Sequence, residues 1–206
     1  MFITPGKYDL VAEGISGNGY ILPKKVIGYN ATLVCHLPNE NWDLSPLNTD
    51  YRYDAFEVYG LTVDIENCRY CINDEMGART EETYKNVFKD LHLINRSNAS
   101  SVLIAPNNIG GGCGNGGYIE IINCVMEQLG GHTKNIDYHS SFTGSQTGEV
   151  IIKMTGCYLD KRVTISNIGD ARENHNKMYV SNCKISTLPT DEVGDNFDMI
   201  TWNNAQ

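Results

Sequence analysis

The sequence predicts an all-β chain wound into a β-solenoid, and three observations carry that expectation. First, one eight-residue pattern recurs: apolar, any, apolar, any, Asn/Gly/Asp, Cys/Leu, any, apolar. It fits Phe56–Val63, Ile119–Met126, Ile152–Leu159 and Met178–Ile185. Asn86–Leu93 departs only at its first position, where Tyr84 and Phe88 supply the alternation. Second, the copies start at 56, 86, 119, 152 and 178, a near-constant interval. A unit this short cannot bury its apolar side alone, so successive units must stack on one another. Third, no long segment shows sustained helical periodicity with caps at both ends. A β-sandwich also has short strands between turns, but it gives no reason for an Asn/Gly-Cys corner to return at regular spacing.

Within each copy the first two apolar positions lie two apart, which places them on one face of a strand. Asn, Gly or Asp then tolerates the left-handed backbone of a sharp corner, at Gly60, Asp90, Asn123, Gly156 and Asn182. Alternation resumes beyond the corner. A further short strand is expected after each copy, at Tyr70–Ile72, Val102–Ile104, Ile136–His139 and Val163–Ser166, giving three strands per coil. Earlier, Phe2–Leu10 reads as a strand entered through Pro5-Gly6, followed by short strands over Ile21–Gly28 and Thr32–Cys35. Residues 36–55 are polar with two prolines and read as a loop excursion, so the first regular coil begins at Phe56. Loops are expected at 106–117, 140–149 and 167–177. The Gly-rich run Gly110–Gly117 precedes a strand, not a helix, and so is not a phosphate cradle.

The chain has 206 residues, enough for one substantial core, and residues 1–206 are expected to form a single domain. Its formal net charge of -9 opposes binding to nucleic acid, where Lys and Arg must replace the counterions on phosphate. No apolar run approaches the ~20 residues of a membrane span, and the N-terminus lacks a secretory layout. Of the seven cysteines, Cys124, Cys157 and Cys183 share one repeat position and should stack inside as small apolar groups. Cys68 and Cys71 form an isolated Cys-x-x-Cys with no second pair at zinc-finger spacing, so neither a metal nor any other cofactor is expected. An odd cysteine count without a signal peptide points to folding in a reducing cytoplasm.

With three strands per coil, an Asn-bearing corner, and stretches such as Val163–Asn167 and Val180–Cys183, the chain resembles the right-handed parallel β-helix of the pectin-lyase-like superfamily. Pro5–Tyr8 followed by Ile21–Val26 is similar to the first coil of phage tail-spike and tail-fibre members. In that family a helix usually covers the first coil, and none precedes Phe2. The resemblance therefore implies a fragment of a longer fibre, or an end covered by a partner. It also implies a virion location in the tail, a homotrimer in the full fibre, and a host-surface glycan as ligand.

Enzymes of the superfamily are lyases or paired-carboxylate hydrolases. The Asp-Asp, Gly-His-Gly and Arg-Ile-Lys patterns of polygalacturonases do not occur here. The nearest pieces are Gly131-His132-Thr133 and Asp160-Lys161-Arg162-Val163, which argues against catalysis. Alternation that buries Ile136 and Tyr138 should turn Asp137 and His139 outward, and the next coil should expose Thr164 and Ser166 in the same way. Arg162, His132 and Lys134 should stand at the rim of the resulting glycan groove. Asp137, His139, Asp160 and Arg162 are the candidate catalytic residues, with Asp160 or Asp198 as a second carboxylate. A solvated polar strand face accounts for the same residues. Trp42 and Trp202 are candidates for sugar stacking or for ordinary packing. Three functions are therefore carried forward: a glycan-recognising shaft, a polysaccharide lyase or glycoside hydrolase, and a structural spacer.

Overall fold

Stacking the apolar positions of each copy on the next builds a parallel β-solenoid, as a computed structural model shows. The structure describes residues 1–16, 19–21, 23–41, 43–49, 55–75, 85–98, 106–112, 116–139, 149–166, 176–187 and 199–203. The strands are β1 (Gly6–Asp9), β2 (Tyr20–Ile21), β3 (Lys25–Asn41), β4 (Leu47–Asn48), β5 (Glu57–Cys68) and β6 (Tyr70–Asn73). They continue as β7 (Asn86–Lys89), β8 (His92–Asn95), β9 (Asn107–Gly112), β10 (Gly117–Ile122), β11 (Val125–Gln128) and β12 (Lys134–His139). The last are β13 (Val150–Thr155), β14 (Tyr158–Leu159), β15 (Arg162–Ser166), β16 (Lys177–Ser181), β17 (Lys184–Ile185) and β18 (Met199–Asn203). The described residues contain no helix.

The strands form a twelve-stranded sheet and a six-stranded sheet. In the larger one, β5 runs straight through its corner and pairs with both β7 and β8. Strands before the corner therefore stack in one arm and strands after it in the other. The smaller sheet runs β15-β12-β9-β6-β4-β2.

Each arm sends apolar rows inward, and one row from each shows the register. Val26, Val58, Phe88, Ile121, Met154 and Val180 are in register before the corner. Leu33, Val63, Leu93, Met126, Leu159 and Ile185 are in register after it. The smaller sheet adds Leu47, Ile72, Ile109, Ile136 and Val163. All of these side chains are buried in one core. Burial of each contributes about 1.5–3 kcal/mol before chain entropy is counted, so the core is the main force holding the coils together.

The corners are where the sequence placed them. Gly60, Asp90, Asn123, Gly156 and Asn182 all have positive φ, between 52° and 71°. Asn30 (φ 61°) adds a corner inside β3 that the pattern did not reveal. Cys124, Cys157 and Cys183 stack behind these corners as expected, the Cys157 N–H donating to the Cys183 sulfur at 3.3 Å. Cys68 instead faces Cys35, with sulfurs 3.5 Å apart.

Two expectations are corrected. Residues 36–41 are strand, not loop; β3 passes Pro38 where its register with β5 shifts, so the missing N–H falls in a break of the ladder. In the smaller sheet, β9 (Asn107–Gly112) lies inside the segment 106–117 read as loop, while Val102–Ile104 lies outside the described residues. Glycine is used there because neighbours fill the space of its side chain. A Cβ on Gly110 would meet the Tyr70 ring at 2.6 Å, and one on Gly111 would meet the Asp74 carbonyl oxygen at 2.2 Å. Asn86, the non-apolar residue at the first position of its copy, is in register with Ile119. Its side chain is buried, its Oδ1 accepts the Phe56 N–H, and its Nδ2 donates to Asp74. Tyr84 lies outside the described residues, as do residues 140–148 of the loop expected at 140–149 and residues 167–175 of the one expected at 167–177, whose last residue, Lys177, begins β16.

Candidate functional site

On the smaller sheet, in-register pairing aligns Asn73, Gly110, Asp137 and Thr164. Ile136 and Tyr138 point to the core as alternation requires, so Asp137 lies on the opposite face. That face is not solvated here: Asp137 is 6% exposed and Thr164 only 1%, contrary to the sequence expectation. The Tyr70 ring lies over Gly110, beneath the Arg69 guanidinium at 4.6 Å from its centroid. Burial pushes the Tyr70 hydroxyl up to about 12, with Arg69 opposing and Asp137 adding to the shift. Asp137 takes the Lys134 ammonium at 2.9 Å on one oxygen and the Thr164 hydroxyl at 2.6 Å on the other. A buried carboxylate paired and hydrogen-bonded in this way is part of the packing of this face.

His132, Lys134 and Arg162 are half-buried at its edge. Arg162 is in register with Lys134, and its N–H reaches the Thr133 carbonyl at 3.4 Å. Burial holds the His132 imidazole below its ordinary pKa, and its Nδ1 has no hydrogen-bond partner among the described residues. The oxygens of Asp160 are engaged at the corner leading into β12, accepting the Gln128 N–H at 3.0 Å and Asn135 Nδ2 at 2.7 Å. His139 and Ser166 are paired in register, but their side chains, like Asp198 and Trp42, lie outside the described residues. Trp202 is placed only by its backbone, opposite Val180 in β18.

A second surface was not singled out by the sequence. It runs along the outside of the corners, as two neighbouring depressions of about 330 and 390 Å³. Their walls come from the corner residues and from the sixth and seventh motif positions, the seventh-position members Thr62, His92, Val125, Tyr158 and Lys184 being in register across five strands. At one end is Tyr29, in a bulge where β3 has extra residues opposite Gly60. Its ring occupies the space a Cβ on Gly60 would fill, 2.4 Å from Cδ1, and its hydroxyl donates to Asp90 at 3.2 Å. Asn123 Nδ2 also donates to Asp90, at 3.2 Å. His92 faces Glu127 at 2.7 Å. Tyr29 is 51% exposed and Tyr158 38%. The seventh position carries no hydrophobic signal, and Tyr29 is outside every motif copy, so pattern reading passes over both.

Among the described residues no group of three His, Cys, Asp or Glu side chains is arranged to hold a metal ion. The chemistry on offer is hydrogen bonding from corner amides and carboxylates together with stacking on exposed tyrosine rings. Comparison with protein-family models, curated proteins and solved structures finds no match.

Proposed function

We propose that this chain is a segment of a phage tail spike or tail fibre, a right-handed β-helix of the pectin-lyase-like type that recognises host-surface polysaccharide and acts as a rigid shaft. The carrying observation is the in-register row Thr62, His92, Val125, Tyr158 and Lys184 on the outer surface. Parallel stacking brings residues far apart in sequence into one line along the solenoid at about 4.8 Å per step, a periodic surface suited to a periodic ligand. In the full fibre the reading includes a homotrimer in the virion tail. Against catalysis, Asp137 and Asp160 are both engaged in structural contacts.

Incubation with purified bacterial surface polysaccharides tests the reading, with retention, new reducing ends and absorbance from unsaturated uronates all recorded. Retention without cleavage is the expected result. Release of reducing ends or unsaturated products would replace it with the hydrolase or lyase function, and no retention by any polysaccharide would leave a spacer.

A further inference from the structure

Resting on the glycan-binding reading, we infer that the sugar chain lies along the corner groove, between Tyr29 and Tyr158, and that it is an uncharged oligosaccharide. Its position follows from the two rings. Tyr29 is fixed before any ligand arrives, because its ring packs on Gly60 and its hydroxyl is tied to Asp90. Tyr158 has the Lys184 ammonium 6.0 Å from its ring centroid. A ring already held in place loses little freedom on binding, so stacking against it is retained as affinity. Four coil steps separate the corners at Asn30 and Gly156, roughly 19 Å at the parallel-strand spacing, and Thr62, His92 and Val125 lie between. The groove therefore mixes polar groups (Thr62, Asp90, His92, Asn123) with apolar ones (Leu61, Leu91, Val125) between two tyrosine rings.

The class of ligand follows from charge. Among the residues lining the two depressions, Asp90 and Lys184 cancel, and His92 is turned to Glu127. A uronate chain would bring one carboxylate per sugar into a groove with a single Lys, on a protein of net charge -9. A neutral hexose chain meets no such opposition. The face around Asp137 offers the reverse: buried groups that are already paired.

The test titrates the protein with neutral oligosaccharides (gluco-, manno- and galacto-oligomers) and with oligogalacturonate of equal length. Tyr29→Ala, Tyr29→Phe, Tyr158→Ala and His132→Ala are run in parallel, each checked for unchanged urea unfolding. The expected result is binding of a neutral oligomer, weakened about tenfold or more by each Tyr→Ala change, with Tyr29→Phe, which keeps the ring but loses its tie to Asp90, weakened less than Tyr29→Ala, and His132→Ala close to the parent. Three results overturn the inference. Neutral-oligomer binding that survives both Tyr→Ala changes but falls with His132→Ala moves the site to the smaller sheet and leaves the glycan function standing. Preference for oligogalacturonate removes the charge argument alone. Failure of every oligomer to bind the parent protein removes the glycan reading itself.

Discussion

Inside the solenoid the Tyr138 hydroxyl donates to Oδ2 of Asp74 at 2.8 Å, joining residues 64 apart in sequence, both fully buried. Asn86 Nδ2 donates to the other oxygen at 2.6 Å. A buried carboxylate persists only where donors replace its water, so this contact fixes how β12 sits over the end of β6. Tyr138→Phe keeps the ring and removes the donor. It should lower stability by about 1.5–3 kcal/mol, seen as a lower urea midpoint with unchanged slope. An unaltered midpoint would mean that the hydroxyl contributes nothing.

The glycines of β9 give a graded comparison. At Gly110 an added methyl meets a ring, which has some freedom to tilt; at Gly111 it meets the Asp74 backbone, which has less. Gly110→Ala should be destabilising by about 1–3 kcal/mol, and Gly111→Ala by more. Equal or reversed effects in chemical denaturation would contradict the packing described.

At the corners the sign of φ decides. Gly156 has φ 67°, and a Cβ there would sit 2.5 Å from Asn123 Oδ1. Gly156→Val should therefore destabilise by about 2 kcal/mol or more. Asn182→Gly, at φ 53°, should change stability by no more than about 0.5 kcal/mol. Thermal melts of the two variants provide the comparison, and similar losses in both would remove the conformational explanation.

Alkaline pH should weaken the fold. The Cys157 thiol is pushed up to about 12, first by its hydrogen bond with Cys124 and also by burial, with Cys183 pulling the other way. Burial, with Glu57 adding, pushes Tyr59 up to about 12, and burial does the same for Tyr70. Each folded group keeps a proton that the unfolded chain releases, starting near the ordinary thiol pKa of about 8.5. Their contribution is thus complete below about pH 8.5 and is lost as pH rises toward 12. Urea unfolding across this range should show the decline, and Cys157→Ala should make it shallower. A slope identical to the parent's would exclude Cys157 as a contributor.

The sequence by itself determined the solenoid, because its two signals are local. Period-two alternation decides which side of a strand faces the core, and a left-handed corner selects Gly, Asn or Asp. Both held at all five motif corners and along the inward rows from Val58 to Val180 and from Val63 to Ile185. The tertiary structure alone decided what lies over the other side of each strand. Alternation turned Asp137 and Thr164 away from the core correctly, but it carried no information about the Tyr70 ring above Gly110, contributed from two coils earlier. The same limit hid β9, whose glycines are strand residues only because Tyr70 and Asp74 fill the missing side-chain space. It also hid the corner groove, which exists because a bulge in β3 carries Tyr29 across Gly60 to Asp90. These are contacts between coils about thirty or more residues apart in sequence, set by how the coils pack on one another, and a pattern confined to one strand cannot encode them.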